Sequence, residues 1–205
     1  MNFNDFKNKV NLSELGGVPA QFKLAPKIRL KPTEETILKN NPKKAAVLAL
    51  FYPNKNNTTS FLLTQRATYK GTHSAQISFP GGKVEKKDSN LKETALRETF
   101  EEVGVLQKNI TIIKELTDVY IPPSNFLVTP FVGVIDTQPN FIINNEVAKT
   151  IEVAVNDLLD ETSFMHKKMN TSYMKNIEVP CFYLNNYIVW GATAMMLSEI
   201  KELLK

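Results

Sequence analysis

The chain has 205 residues, of which 42% are hydrophobic and 22% charged, with a formal net charge of +4. That is enough chain for one domain with a sizeable core, and the composition excludes a disordered or low-complexity protein. The basic residues are scattered, so no nucleic-acid arm is expected, and no segment approaches the ~20 apolar residues of a membrane span.

Residues 2–15 carry Phe3, Phe6, Val10 and Leu15 at roughly helical spacing and predict a short helix packed on the body. Residues 16–43 hold Gly16, Gly17 and four prolines and read as an extended wrap. Residues 1–44 are thus expected to form an N-terminal helix and wrap, and residues 45–205 the main domain. Ala45–Tyr52 (AAVLALFY), ended by Pro53, predicts a buried strand. Asn54–Thr59 is a turn, and Ser60–Gln65 is the partner strand of a hairpin. A polar loop, Ile77–Phe79 and Pro80-Gly81-Gly82 follow. Leu91–Val103 predicts a helix stopped by Gly104, with Asn90 and Glu93 as a capping box.

Ile110–Ile121 and Leu127–Asp136 read as strands separated by Pro122-Pro123-Ser124-Asn125. Val147–Val155 predicts another strand and Asn156–Leu159 a short helix. Glu178–Leu184 and Tyr187–Trp190 flank Asn185-Asn186, a hairpin turn signal. Gly191–Leu204 closes the chain as an amphipathic helix. Its Met195, Met196, Leu197, Ile200, Leu203 and Leu204 read as core or dimer packing. Strands, helix, strands, helix, without a regular βαβ repeat, predict an α+β fold: a mixed β-sheet flanked by helices.

The single cysteine, Cys181, excludes an internal disulfide framework, and Val179, Pro180 and Phe182 around it mark a buried structural thiol. The first residues, MNFNDFKNKV, carry charges where a signal peptide needs an apolar run, so a cytoplasmic protein is expected. Monomer and homodimer both fit the sequence. His166, beside Lys167 and Lys168, reads as surface, and Trp190 as a core anchor.

The stretch Ala95–Val105, ALRETFEEVGV, carries the chemistry. At ~100° per residue, Glu98, Glu101 and Glu102 share one face, and Leu96, Thr99, Phe100 and Val103 fall on the core side. The Glu98–Glu102 pair costs roughly 0.2–0.5 kcal/mol in an isolated helix. One reading is a solvated acidic face. The other is a site for hard divalent cations, because carboxylates at i, i+3 and i+4 converge on one or two ions. Upstream, Phe79-Pro80-Gly81-Gly82 supplies a backbone that a ligand can approach closely. Arg97 is available to tether one carboxylate.

These residues resemble the Nudix box. Gly82 is followed by five residues and Asp88, then by eight residues and Arg97-Glu98-Thr99-Phe100-Glu101-Glu102-Val103-Gly104-Val105. Asp88 stands for the family's Glu, one extra residue precedes Arg97, and Thr99 occupies an apolar position. Upstream, Leu62-Leu63-Thr64-Gln65-Arg66, His73-Ser74-Ala75-Gln76 and Phe79-Pro80-Gly81-Gly82 are similar to the coenzyme A pyrophosphatase branch. Ala75 replaces a usual Gly there, and Tyr69-Lys70 a common Leu-Arg. Trp190-Gly191-Ala192-Thr193-Ala194 is also similar to this branch.

The resemblance implies an α/β/α Nudix sandwich and a Mg²⁺- or Mn²⁺-dependent enzyme. It implies Glu98, Glu101 and Glu102 as metal ligands, with the Gly82 carbonyl, and Arg97 as their orienting partner. Glu101 and Arg97 would be catalytic, with Glu146 as general base. Arg66, Lys70, His73, Gln76 and Lys83 would contact substrate. The implied substrate is coenzyme A or acyl-coenzyme A, a small molecule. The alternatives are a Nudix hydrolase for ADP-ribose, NADH or nucleoside triphosphates, and a non-catalytic ligand sensor.

Overall fold

Strand β1, Lys43–Pro53, buries both of its faces. Ala45, Ala49 and Phe51 enter one core, and Ala46, Leu48, Leu50 and Tyr52 enter another on the opposite side. A strand covered on both faces reads as a continuous apolar run, which is how this one reads. The computed structural model describes residues 1–67, 76–170 and 176–205. Among these, eight strands form one mixed sheet with β1 at its centre.

On one side β1 lies parallel to β7 (Phe126–Val134), from Lys43 opposite Phe126 to Phe51 opposite Val134. Its other side is shared. β4 (Gly81–Lys83) pairs antiparallel with Ala45–Val47, and β2 (Thr59–Arg66) with Phe51–Pro53. β3 (Ile77–Ser78) and β8 (Val147–Ala154) pair with β2, and β5 (Thr111–Glu115) and β6 (Val119–Ile121) with β7. A second, three-stranded sheet joins β9 (Phe164–Met169), β10 (Ile177–Leu184) and β11 (Tyr187–Trp190). Asn185 and Asn186, at φ 47 and 67, make the β10–β11 turn.

Helix α4 (Leu91–Val103) covers one face of the large sheet through Ala95, Leu96 and Val103. Helices α1 (Phe3–Leu12) and α6 (Gly191–Leu203) cover the other. The α6 residues Met195, Met196, Leu197, Ile200 and Leu203, with Leu204 just beyond, are buried in that core, as is Phe6, whose ring stacks on Phe51 at 4.3 Å. The arrangement is the expected mixed sheet between helical layers.

The structure departs from the sequence reading in several places. Residues 16–43 are not simply extended: they hold α2 (Gly17–Phe22) and α3 (Glu34–Lys39), the latter capped by the Thr33 hydroxyl. α2 is tied down by the buried Glu199 carboxylate, which accepts from Gly17 N–H (3.0 Å), Gln21 Nε2 (2.9 Å) and Thr117 Oγ1 (2.7 Å). The same bond to Thr117 helps to divide Ile110–Ile121 into β5 and β6. Asp118 beside it accepts from Thr129 Oγ1 at 2.5 Å, so these side-chain tethers replace the ladder there. β9 was not expected, because an almost wholly exposed strand with Lys167 and Lys168 at its centre has no burial alternation to read. A short helix, α5 (Val155–Leu159), precedes it. Cys181 is buried, whereas Trp190 is only half-buried and is no core anchor. Among the described residues, no helix is long and apolar enough to cross a membrane.

Candidate active site

The two ends of α4 fix what its middle can present. Asn90 Oδ1 accepts from Glu93 N–H at 2.9 Å, while Glu93 Oε2 reaches the Ser89 N–H at 2.8 Å, a capping box displaced by one residue. Gly104 ends the helix at φ 75, with its N–H on Phe100 O at 2.9 Å. Thr99 is fully buried because its hydroxyl donates to Ala95 O at 2.7 Å, so a polar residue fits an apolar position. Phe100, expected on the core side, is 44% exposed. The helical rotation carries it past Leu96 toward solvent.

Arg97 organises the acids. Its Nε and Nη2 grip Asp88 Oδ1 and Oδ2 at 2.8 and 2.9 Å. Its Nη1 reaches Glu98 Oε1 at 2.8 Å and Glu101 Oε2 at 3.0 Å, and Nη2 also donates to Lys83 O at 3.2 Å. Asp88 Oδ2 further accepts from Thr94 Oγ1 and Glu85 N–H, both at 2.9 Å. The Asp88 and Arg97 side chains are 3% and 8% exposed. The guanidinium holds the Asp88 carboxyl well below the usual carboxylate range, and Asp88 in turn raises Arg97 further.

Glu102 is in a different position. Its side chain is 6% exposed, and burial pushes its carboxyl up to about 7. The Arg66 charge and the Gly81 N–H oppose that rise, and the charges of Glu98 and Glu146 add to it. Glu98 is also pushed up by burial, against the pull of Arg97. Arg66 Nη1 lies 3.9 Å from Glu102 Oε1, and its Nη2 3.5 Å from Glu146 Oε2.

The glycines of β4 make room for this arrangement. A Cβ on Gly82 would lie 2.5 Å from the Glu98 carboxylate, and one on Gly81, at φ 154, would lie 2.4 Å from Ala46 O. Glu146 arrives on a loop docked at both ends. Ile142 and Asn144 donate their N–H groups to Val103 O and Glu102 O at 2.9 and 3.2 Å, capping orphan carbonyls of α4. Ala67 N–H donates to Glu146 O at 2.7 Å, and Asn144 Oδ1 accepts from Glu146 N–H at 2.9 Å.

Of the residues singled out from sequence, Gly82, Arg97, Glu98, Glu101, Glu102, Glu146 and Arg66 therefore come together. Lys83 is exposed next to Gly82, and its carbonyl serves Arg97. The Gln76 carbonyl accepts from Arg66 N–H at 3.1 Å. Lys70 and His73 lie outside the described residues. His166 is an exposed residue of β9, in a T-shaped contact with Phe164. Sequence reasoning gave no role to Asp88 beyond its place in a pattern, nor any to Asn144. The signal for Asp88 was its position one short loop upstream of a lone arginine among glutamates.

Carboxylate oxygens are hard donors suited to divalent cations. Among the described residues, no three His, Cys, Asp or Glu side chains already converge as a cage, since Arg97 holds Glu98 and Glu101. The donor chemistry nevertheless fits: the cost of burying Glu98 and Glu102 near each other is one that a divalent charge removes.

The chain matches the model of the NUDIX domain over residues 42–171. It is 27% identical over 176 residues to NudL of Photorhabdus laumondii, an uncharacterized Nudix hydrolase, covering 85% of this chain and 91% of that one. It is 32% identical over 161 residues to Nudix hydrolase 3 of Caenorhabditis elegans, covering 71% of this chain and 67% of the other. In fold it is similar to a MutT/nudix family protein from Enterococcus faecalis, with a TM-score of 0.51 at 18% identity over 98% of this chain and 73% of that one. The domain match runs from β1 through β9 and takes in α4 and the Glu146 loop, so the chain belongs to the Nudix hydrolase family.

Proposed function

We propose that this chain is a metal-dependent pyrophosphatase acting on coenzyme A or acyl-coenzyme A. The products are 4′-phosphopantetheine, or its acyl form, and adenosine 3′,5′-bisphosphate. The observation that carries the reading is the buried Asp88–Arg97 pair, which holds Glu98 and Glu101 at 2.8 and 3.0 Å on the face they share with Glu102. These three carboxylates, with the Gly82 carbonyl, would hold one or two Mg²⁺ or Mn²⁺ ions. When bound, such an ion offsets the charge of the diphosphate and activates a water.

The chain's own groups have separate tasks. Arg97 spends its donors on Asp88, Glu98, Glu101 and Lys83 O, so it orients ligands and does not itself bind substrate. Glu146, on a loop whose backbone is bonded to Ala67, just past β2, and to the end of α4, takes the proton of the attacking water. Lys83, exposed beside Gly82, meets phosphate oxygens, as does Arg66. Coenzyme A is favoured by the Leu62-Leu63-Thr64-Gln65-Arg66 signature. Its last residue ends β2 within 3.9 Å of Glu102 and 3.5 Å of Glu146, so the branch-specific segment abuts the carboxylates.

The test compares hydrolysis rates on coenzyme A, dephospho-coenzyme A and ADP-ribose with Mg²⁺ or Mn²⁺ present. Coenzyme A is expected to be fastest, and a hundredfold preference for ADP-ribose would remove the substrate assignment. Glu102→Gln is expected to lose at least roughly a hundredfold in rate, the scale usual for groups that stabilise transition-state charge. Unchanged turnover in that variant would take Glu102 out of the site.

A further inference from the structure

Two arginines serve one acid cluster, and they are held differently. Arg97 is locked by contacts of 2.8 to 3.2 Å, two of them on Asp88, and is 8% exposed. Arg66 meets Glu102 only at 3.9 Å and Glu146 at 3.5 Å, at or beyond the outer limit of hydrogen bonding, and is 27% exposed. Its Nε is buried and has no hydrogen-bond partner among the described residues. Arg66 also stands where the β2–β8 ladder shifts register, between Gln65 and Arg66. Such irregularities re-aim side chains at sites. Among the described residues, Arg66 is the one cation in ion-pair range of Glu102 and of Glu146.

We infer that Arg66 is an exchangeable counter-charge: it pairs with Glu102 and Glu146 while the cluster holds no cation, and is released to the substrate's phosphates when a divalent ion takes Glu102. The inference rests on the metal-dependent reading above. A guanidinium and a divalent ion cannot share the same carboxylate oxygens without strong repulsion, and the long contacts of Arg66 are the ones that give way. Arg97 cannot play this part, because leaving would strand the buried Asp88 charge.

The exchange gives Arg66→Gln two effects of opposite sign. Mn²⁺ binding, measured by calorimetry on the whole protein without substrate, should tighten about tenfold, since a competing cation is gone. The KM for coenzyme A should rise about tenfold with a smaller change in kcat, since a phosphate contact is lost. A purely structural residue would weaken both. Lys87→Gln is the control for the general field, because Lys87 lies 3.4 Å from Glu101 in the same cluster but is exposed. It should change Mn²⁺ affinity less than about threefold, as expected of a screened surface charge. Arg66→Met, which keeps the apolar stem, serves if Arg66→Gln does not fold.

Mn²⁺ affinity that is unchanged or weaker in the Arg66 variant overturns the exchange, as does an equal tightening in Lys87→Gln. An unchanged KM overturns the release to phosphate. Wild-type protein that binds no Mn²⁺ at all overturns the metal-dependent reading itself, and the exchange with it.

Discussion

Asp88 and Glu102 are two buried carboxylates of one site, driven in opposite directions by their neighbours. Arg97 grips Asp88 through both oxygens and holds it low, while burial carries Glu102 from 4.5 to about 7 against the weaker pull of a distant Arg66 and the Gly81 N–H. The consequences for stability have opposite signs. Below about pH 4.5 Glu102 is protonated both folded and unfolded, and its burial adds no ionisation penalty. As pH rises toward 7 the unfolded chain releases that proton first, so stability falls, by on the order of 3 kcal/mol across the window. Glu98, also pushed up by burial, acts in the same direction. Asp88 contributes stability above the ordinary carboxylate range, and that contribution is lost only at lower pH, as it protonates. Urea unfolding in chelator is therefore expected to give a stability that declines from about pH 5 to 7. Glu102→Gln should flatten the decline, and a wild-type profile that rises through this range would contradict the burial account. The acids themselves were legible in the sequence. The difference between them was not, because it comes from an arginine reaching off its helix to Asp88 and from neighbours on other strands.

The limits of α4 were the most readable feature of the fold. Asn90 and Gly104 are local signals, an Asx cap and a left-handed stop, and each acts on its own turn of backbone. The glycines at either end of the site do different jobs, and substitution separates them. In Gly82→Ala the new methyl meets the Glu98 carboxylate, the mobile end of a side chain, at 2.5 Å. Activity should fall at least about tenfold through the displaced Glu98, while the free energy of unfolding stays within about 1 kcal/mol of wild type. In Gly104→Ala the backbone is at φ 75 and the methyl would lie 2.9 Å from Ile142 Cβ. Stability should fall by about 1–2 kcal/mol. Denaturant midpoints and kcat on the two variants check both expectations, and a stable Gly104→Ala would mean that the Ile142–Glu146 loop is not docked as described. Strands set by non-local contacts were the hard ones to read. β4 is two glycines and a lysine that qualify as a strand only beside Ala45–Val47, and the break between β5 and β6 depends on Glu199 from the far end of the chain.

At the scale of the molecule, the N-terminal segment is part of the main core. Phe3, Phe6 and Val10 are buried with residues of β1, β2 and α6, and Glu199 joins α2, α6 and the β5–β6 connection through three hydrogen bonds. Phe6→Ala should accordingly cost about 3–5 kcal/mol in chemical denaturation, the usual range for a large buried aromatic. A loss under about 1 kcal/mol would show that α1 is not packed on Phe51 in solution. The apolar spacing of α1 announced this burial, but its partners in the sheet were beyond the reach of local pattern. The pairing of β1 with β7 also governs the order in which the molecule can be completed. Everything from β2 to β6, the acidic helix included, must leave the ribosome before β7 does. Until then one edge of Lys43–Phe51 has no ladder partner, and an open apolar strand of that kind is what chaperones bind and aggregates recruit. A nascent chain arrested short of Phe126 is thus expected to carry the acidic face of α4 on a sheet that cannot yet close.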